Sequence, residues 1–322
     1  MWWASRSPAV KGANPSLFVN QTSNPSITAE TVNIMSWNIA WGCGMGSEGV
    51  NYEPKDKEHF EQALESIANT IKDRKADIVL LQEVDFDSGR SHHFDQLKFL
   101  GEKCNMNYAY VTCWSANYIP YPYWPIRKHF GKMLSGGGIL SRFPIVNNEV
   151  FLHKKPAANS WWYNLFYLYR FTQIATIKIA GKEMAVANNH LEAFNKKNRR
   201  DQAKTMVKRL NLNKDVLAAG GDFNTTPPNA TRKSGFEGYP KDDYEDDSTY
   251  ESLVSGLFLK DALKTDDYLR EEKRWFTFSS VKPSRKLDYI FVKEDIPLEE
   301  FEVIQTPVSD HFPVQAKIRL IN

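Results

Sequence analysis

VNIMSWNI (residues 32–39) and DIVLLQEV (residues 77–84) decide the fold class. Both are apolar runs of strand length, and the second is nearly continuous, the pattern of a strand covered on both faces. Between them Phe60, Leu64, Ile67, Ala68 and Ile71 recur at helical spacing, which predicts an amphipathic helix over about 57–74. A second such helix is expected near 92–104, with Phe94, Leu97 and Leu100 turned inward. Strand, helix, strand, helix is the signature of a layered α/β fold.

Towards the C-terminus, residues 171–179 and 183–191 read as a hairpin turning at Gly181. A basic helix over about 195–211 follows, with Ala203, Met206, Val207 and Leu210 as its core face. VLAAGG (216–221), KLDYIFV (286–292) and PVQAKIRL (313–320) read as later strands, and there is no internal repeat. Three segments stand apart as insertions: the aromatic, proline-rich 114–130, the aromatic 156–171 and the acidic 237–251. Residues 1–31 are polar and rich in Ser, Asn and Pro, and read as a flexible arm. Residues 32–322 read as a single domain, because the chemically informative residues run from 38 to 311.

Composition narrows the classes. Of 322 residues, 42% are hydrophobic and 25% charged, enough to form a large core and too apolar for global disorder. A net charge of +2 does not announce a nucleic-acid binder by bulk charge, so any basic surface has to be local. Cys43, Cys104 and Cys113 are too few and too scattered for a disulfide framework or a zinc site. No run approaches the roughly 18 apolar residues of a membrane span, and the N-terminus has no apolar core of secretory type. A soluble monomer is the expectation; cytoplasmic location, or export with a leader removed, both remain open.

Polar residues cluster at the ends of the predicted strands: Asn38, Glu83, Asn189–His190, Asp222 with Asn224, Asp288, and Asp310–His311. Taken singly, most have bland readings. Asn38 and the Asp222–Asn224 pair suit turns, His190 a satisfied core histidine, Asp288 a buried partner for Arg285 or Lys286, and Asp310–His311 a strand cap. Glu83 in an apolar run is harder to dismiss, because an unpaired Glu is rarely buried. Independent turns do not predict polar pairs at so many strand ends. Together the groups match what phosphodiester hydrolysis needs: a hard cation on carboxylate and amide oxygens, a carboxylate to activate water, and donors for the phosphoryl oxygens.

The ordered set SWN (36–38), LQE (81–83), GGILSRFPI (137–145), NHL (189–191), GDFN (221–224), LDYIF (287–291) and SDHFPV (309–314) resembles the endonuclease/exonuclease/phosphatase superfamily over about residues 32–320. The resemblance implies a four-layer α/β sandwich, two packed mixed β-sheets flanked by helices. It implies Asn38 and Glu83 as metal-side residues, assisted by Asp310, holding Mg²⁺ (Mn²⁺ and Ca²⁺ also fit). It implies catalytic roles for His190 at the phosphate, Asp222 on the nucleophilic water, Asn224 on the phosphate, and Asp288 paired with a transition-state-stabilising His311.

His190 looks like the branch containing pancreatic-type deoxyribonucleases, sphingomyelinases, inositol polyphosphate phosphatases and deadenylases, whereas Ser284–Asp288 departs from the inositol 5-phosphatase pattern. The nearest likeness is to uncharacterised bacterial members. A phosphodiester substrate is expected, with nucleic acid slightly favoured. A phospholipid or phosphorylated small molecule is the alternative, and a non-catalytic binding module the alternative of another class. Tyr118, Tyr121, Tyr123 and Trp124 beside Arg127, Lys128 and His129 suit base stacking, peripheral contact with a lipid interface, or a packed loop over a sheet edge. Lys196, Lys197, Arg199 and Arg200 are candidates for phosphate contacts or a solvated face.

Overall fold

A computed structural model describes residues 17–21, 30–44, 53–213 and 215–320. In chain order its strands are β1 (Phe18–Val19), β2 (Thr31–Asn38), β3 (Ile78–Asp85), β4 (Asn107–Ile119), β5 (Gly131–Ser141), β6 (Ile145–His153), β7 (Arg170–Ile179), β8 (Lys182–His190), β9 (Val216–Asp222), β10 (Leu259–Asp261), β11 (Asp288–Lys293), β12 (Leu298–Val303) and β13 (Val314–Arg319). The α-helices are α1 (Lys57–Asp73), α2 (Gln96–Cys104), α3 (Trp161–Phe166), α4 (Lys196–Asn211), α5 (Thr249–Val254) and α6 (Thr265–Arg270).

The strands form two mixed sheets. One runs β1-β4-β5-β3-β2-β13-β12, the other β10-β11-β9-β8-β7-β6. Alternate side chains face each other between the sheets: Ile34, Ile78, Leu80 and Ile139 meet Ile177, Val186, Leu217 and Ile290 in one buried cluster. The opposite face of the first sheet (Met35, Trp37, Val79, Leu81) packs on Leu64, Ile67 and Ile71 of α1 and Leu97 and Leu100 of α2. The outer face of the second packs on Met206, Val207 and Leu210 of α4 and Leu253 of α5. The result is the four-layer α/β sandwich, each fully buried Leu or Ile contributing about 1.5–3 kcal/mol over exposure.

The helix phases follow from the sequence. α1 buries the five residues picked out by periodicity, and Asp56 caps it by accepting from the His59 amide at 2.9 Å. The hairpin forms as β7 and β8, closed by Ala180 (φ +48°) and Gly181 (φ +82°), both in the left-handed region that a two-residue twisted turn requires.

Three expectations change in detail. Part of the supposed arm is sheet edge: Phe18 and Val19 pair with Ala109 and Tyr108, and Asn20 exchanges two hydrogen bonds with the Ile145 backbone. The remainder of residues 1–29 lies outside the described residues. The aromatic segment 114–130 is no separate loop either. It is the far end of β4, a connection, and the lead into β5, forming a hairpin that runs past its neighbours. The acidic segment 237–251 does not stand apart either; it is bound to cations of the domain. Asp247 pairs with buried Arg199 at 3.0 Å, Asp242 with buried Arg285, and Asp243 with Lys196 at 2.8 Å. The three cysteines are free, Cys43 and Cys113 buried.

Each sheet contains one parallel pair. β2 runs parallel to β3 with Asn38 opposite Gln82, and β8 runs parallel to β9 with His190 opposite Asp222. The C-terminal ends of both pairs meet at one end of the sandwich.

Candidate active site

Asp222 is the hub. It ends β9, where Gly221 lies so close to β8 that a Cβ there would fall 1.9 Å from the Asn189 carbonyl oxygen. Only glycine permits that approach. One carboxylate oxygen of Asp222 accepts from the Asn224 amide at 2.9 Å, closing a tight turn in which Asn224 has φ +51°. The other accepts from Asn38 Nδ2 at 3.1 Å, across from the opposite sheet. That second oxygen also lies 3.6 Å from His190 Nε2 and 3.8 Å from His311 Nε2.

Glu83 reaches the same place through an irregularity. The β3–β5 register shifts between Gln82 and Val84, and Glu83 sits at φ +52°, a β-bulge that breaks strand alternation. Gln82 remains between the sheets, donating to Asn188 Oδ1 at 2.7 Å, while Glu83 accepts from Asn38 Nδ2 at 3.2 Å. Asp288 faces Asp222 across β11 and β9, and its Oδ2 lies 2.8 Å from His311 Nδ1. Neither nearby cation takes that carboxylate: Arg285 goes to Asp242, and Lys286 donates to the Asp288 carbonyl. The turn carrying His311 is tied to the end of β2, Ser309 Oγ donating to the Asn38 carbonyl at 2.8 Å and Trp37 Nε1 to the His311 carbonyl at 3.0 Å.

The structure therefore gathers Asn38, Glu83, His190, Asp222, Asp288 and His311. Asn224 stands one turn away, its amide donating to the Leu191 carbonyl at 3.1 Å. Asp310 is buried beside His311, its Oδ1 lying 3.1 Å from Ser309 Oγ. Among the described residues, one group of three ionisable ligand-type side chains lies within 4.8 Å: Asp222, Asp288 and His311. This cluster can hold a metal ion provided that His311 gives up a proton, since only a neutral imidazole has a lone pair to offer. The donors around it are carboxylates, amides and imidazole, with no thiolate, a set suited to a hard divalent ion.

Burial drives the protonation states. It pushes the Asp222 carboxyl up to about 6 against the opposing pull of His311. His190 is driven well below the usual imidazole range by burial, then by the Arg170 and His311 cations, and is neutral. Burial would lower His311 too, but the Asp288 and Asp222 carboxylates outweigh it and hold His311 as imidazolium. One imidazole of each charge state thus flanks one carboxylate.

Arg170 is the residue that the sequence reading missed. It is buried, opens β7, and its Nη1 donates to His190 Nε2. A guanidinium can only donate, so Nε2 accepts and the His190 proton sits on Nδ1. The signal was present: Arg170 is the sole charged residue between 156 and 171, and a cation in an aromatic run needs a buried partner.

A family model for the endonuclease/exonuclease/phosphatase family matches residues 35–311. The chain belongs to that family. No curated protein matches its sequence. Among solved structures, a family protein from Bacteroides thetaiotaomicron superposes with TM-score 0.59 at 19% identity, covering 91% of this chain and 98% of that one. A mannosyl-6-phosphatase from the same species gives 0.57 at 19%, covering 90% and 100%. The human Nocturnin catalytic domain with bound sulfate gives 0.60 at 19%, covering 98% and 99%. At such identity these likenesses establish the fold alone.

In this family member the aromatic segments wall a cavity of about 580 Å³ that opens onto the site. Glu83, Arg170 and His190 form its inner end, and Trp114, Tyr121, Trp162 and Phe166 are among its walls. No helix of the described residues is long and apolar enough to cross a membrane.

Proposed function

We propose that this chain is a divalent-metal-dependent phosphodiesterase. The observation that carries the proposal is the placement of Asp222 between neutral His190 and cationic His311, with Asp288 behind His311. Glu83, at one side of Asp222, would hold a Mg²⁺-type ion, and Asn38 would join it once its amide turns Oδ1 from the Ala40 N–H towards the ion; such an ion would supply charge neutralisation at the phosphate. Asp222 orients a water and takes its proton as the water oxygen bonds to phosphorus and one P–O ester bond breaks. The proton leaves with the departing alcohol. His311 donates to a phosphoryl oxygen as charge accumulates there, and Asp288 keeps that imidazolium in place. Arg170 holds His190 in one tautomer beside the phosphate. Asn224 orients the phosphate from its turn, and Asp310 helps keep His311 charged.

The fold's other occupants do not choose the ester: one similar structure is called a mannosyl-6-phosphatase, another holds sulfate. Of the four α4 cations offered for phosphate contacts, Lys196 and Arg199 are paired with Asp243 and Asp247, which weakens the slight preference for nucleic acid.

The test is turnover of a soluble chromogenic diester with Mg²⁺, Mn²⁺ or Ca²⁺, with Asp222→Ala and His311→Ala as controls. Activity abolished by chelation and by both substitutions is expected. Turnover that survives both substitutions would remove this site from the reaction, and turnover under EDTA would remove the metal. A folded chain inactive on diesters, nucleic acids and lipids alike would favour a binding module.

A further inference from the structure

Phosphate chemistry at Asp222 does not call for the surface beside it. The β4–β5 hairpin exposes Tyr123, Trp124 and Ile126, α3 exposes Trp161 and Trp162, and the loop after β8 exposes Phe194. Trp124, Trp161 and Phe194 are 79%, 74% and 80% exposed. These side chains are not scattered. Tyr123, Trp162 and Phe194 border the same cavity, so three separate segments form one rim, with Trp124 and Trp161 next to it in the chain. Soluble proteins rarely gather so many large apolar groups in water without a partner for them.

The cavity also changes character along its length. Glu83, Arg170 and His190 make its inner end polar. Beyond them the walls are rings, among them Trp114, Phe130 and Phe166. The remaining charge, Arg90, is spent on the protein itself: it donates twice to Asp85 at 2.9 Å and lies 3.8 Å from the Trp41 ring. A polynucleotide would require a track of available cations along its backbone. Among the described residues the throat has none, and Lys196 and Arg199 of the nearby basic helix are already paired. An amphipathic phosphodiester matches both ends at once, its phosphate at the polar end and its hydrocarbon in the throat. The rim then lies where Trp and Tyr are most stable, at the boundary between headgroups and acyl chains. Exposed Arg127 adjoins Ile126 at the hairpin tip and can reach headgroup phosphates while its stem stays in the apolar layer.

We propose that this aromatic face docks on a lipid bilayer, and that the cavity admits the apolar part of a phospholipid whose phosphodiester reaches Asp222. The substrate half rests on the phosphodiesterase reading; the docking half does not. Water adds to phosphorus and one P–O ester bond breaks, leaving a phosphomonoester and an alcohol.

The full chain, wild type and the Trp124→Ser/Trp161→Ser double variant, is sedimented with phosphatidylcholine–sphingomyelin vesicles. The same preparations are assayed with Mg²⁺ on those vesicles, on a soluble chromogenic diester and on single-stranded DNA and RNA. Wild type is expected to sediment with vesicles and to stay bound when NaCl rises from about 0.1 to 0.5 M, because apolar docking is little screened. The double variant, with an unaltered melting curve, is expected to lose about tenfold in binding and in the ratio of vesicle to soluble turnover. No sedimentation of wild type, or binding that the double variant retains, overturns the docking. Cleavage of soluble diester and nucleic acid without vesicle turnover overturns the lipid substrate and leaves the phosphodiesterase standing. Vesicle binding with no cleavage of any diester sinks the phosphodiesterase reading and the lipid substrate with it, while docking survives.

Discussion

Buried charges are handled in opposite ways in two regions of this molecule. Arg90, Arg199 and Arg285 each have a carboxylate, Asp85, Asp247 and Asp242. Each also lies against aromatic rings, Arg90 on Trp41 at 3.8 Å and Arg285 on Phe236 at 4.3 Å. Around Asp222 the matching is loose. Its carboxylate has two imidazoles at 3.6 and 3.8 Å, one of them neutral, and is pushed up to about 6. Matched charges hold loops onto the sandwich. Loosely matched ones keep free capacity for a substrate and a metal, at a cost in stability.

The sharpest way to break this contrast is Asp222→Asn. Turnover of a soluble diester should fall by about 10²–10⁴-fold. The metal-free protein should melt no lower than wild type, because a carboxylate whose charge is disfavoured by burial has been removed. A lower melting temperature would place Asp222 with the structural charges. The converse is Asp247→Asn, which leaves Arg199 buried beside a neutral group. Urea unfolding should register a loss of about 3–5 kcal/mol, with turnover per folded molecule retained.

His153 sharpens the comparison, since it is buried with a hydroxyl partner, Thr172 Oγ1 at 3.0 Å, and burial lowers it to about 4. The unfolded chain therefore binds a proton below about pH 6.5 that the folded chain refuses. Stability should fall as pH drops from about 6.5 to 4, by about 3 kcal/mol from this residue, and then level off. His190, lowered for the same first reason, adds to that slope. His153→Gln should flatten the difference curve in urea titrations; an unchanged slope would show that the residue is protonated when folded.

The smallest expected effect is at Arg170. Arg170→Met frees the His190 tautomer and should cost about ten- to a hundredfold in turnover, with partial recovery in Arg170→Lys. A pH–rate profile identical to wild type would make the arginine merely structural.

Much of this was legible in the sequence, for a definite reason. Strand ends and helix phases are local patterns, so α1, α4, the β7–β8 hairpin and the polar ends of β2, β8 and β9 could be read from spacing. What could not be read depends on partners far away in the chain. Glu83 reaches Asn38 through a bulge whose register is set by β5. Arg170 finds His190 because β7 and β8 pair. Phe18 looked like part of an arm because its partner, Ala109, lies in a strand that aromatic composition disguised as an insertion. The acidic run read as an insertion because its partners Arg199 and Arg285 lie 48 and 43 residues away in the chain.

The Asn38–Asp222 hydrogen bond spans the two sheets, as does the Gln82–Asn188 bond beside it. Neither half of the sandwich owns the site. Catalysis is then the most demanding reporter of how the halves sit on each other: a slip of an ångström that leaves every strand ladder intact separates Asn38 from Asp222. In rising denaturant, turnover should disappear before ellipticity does. On refolding it should return last, when two finished sheets have settled into one alignment.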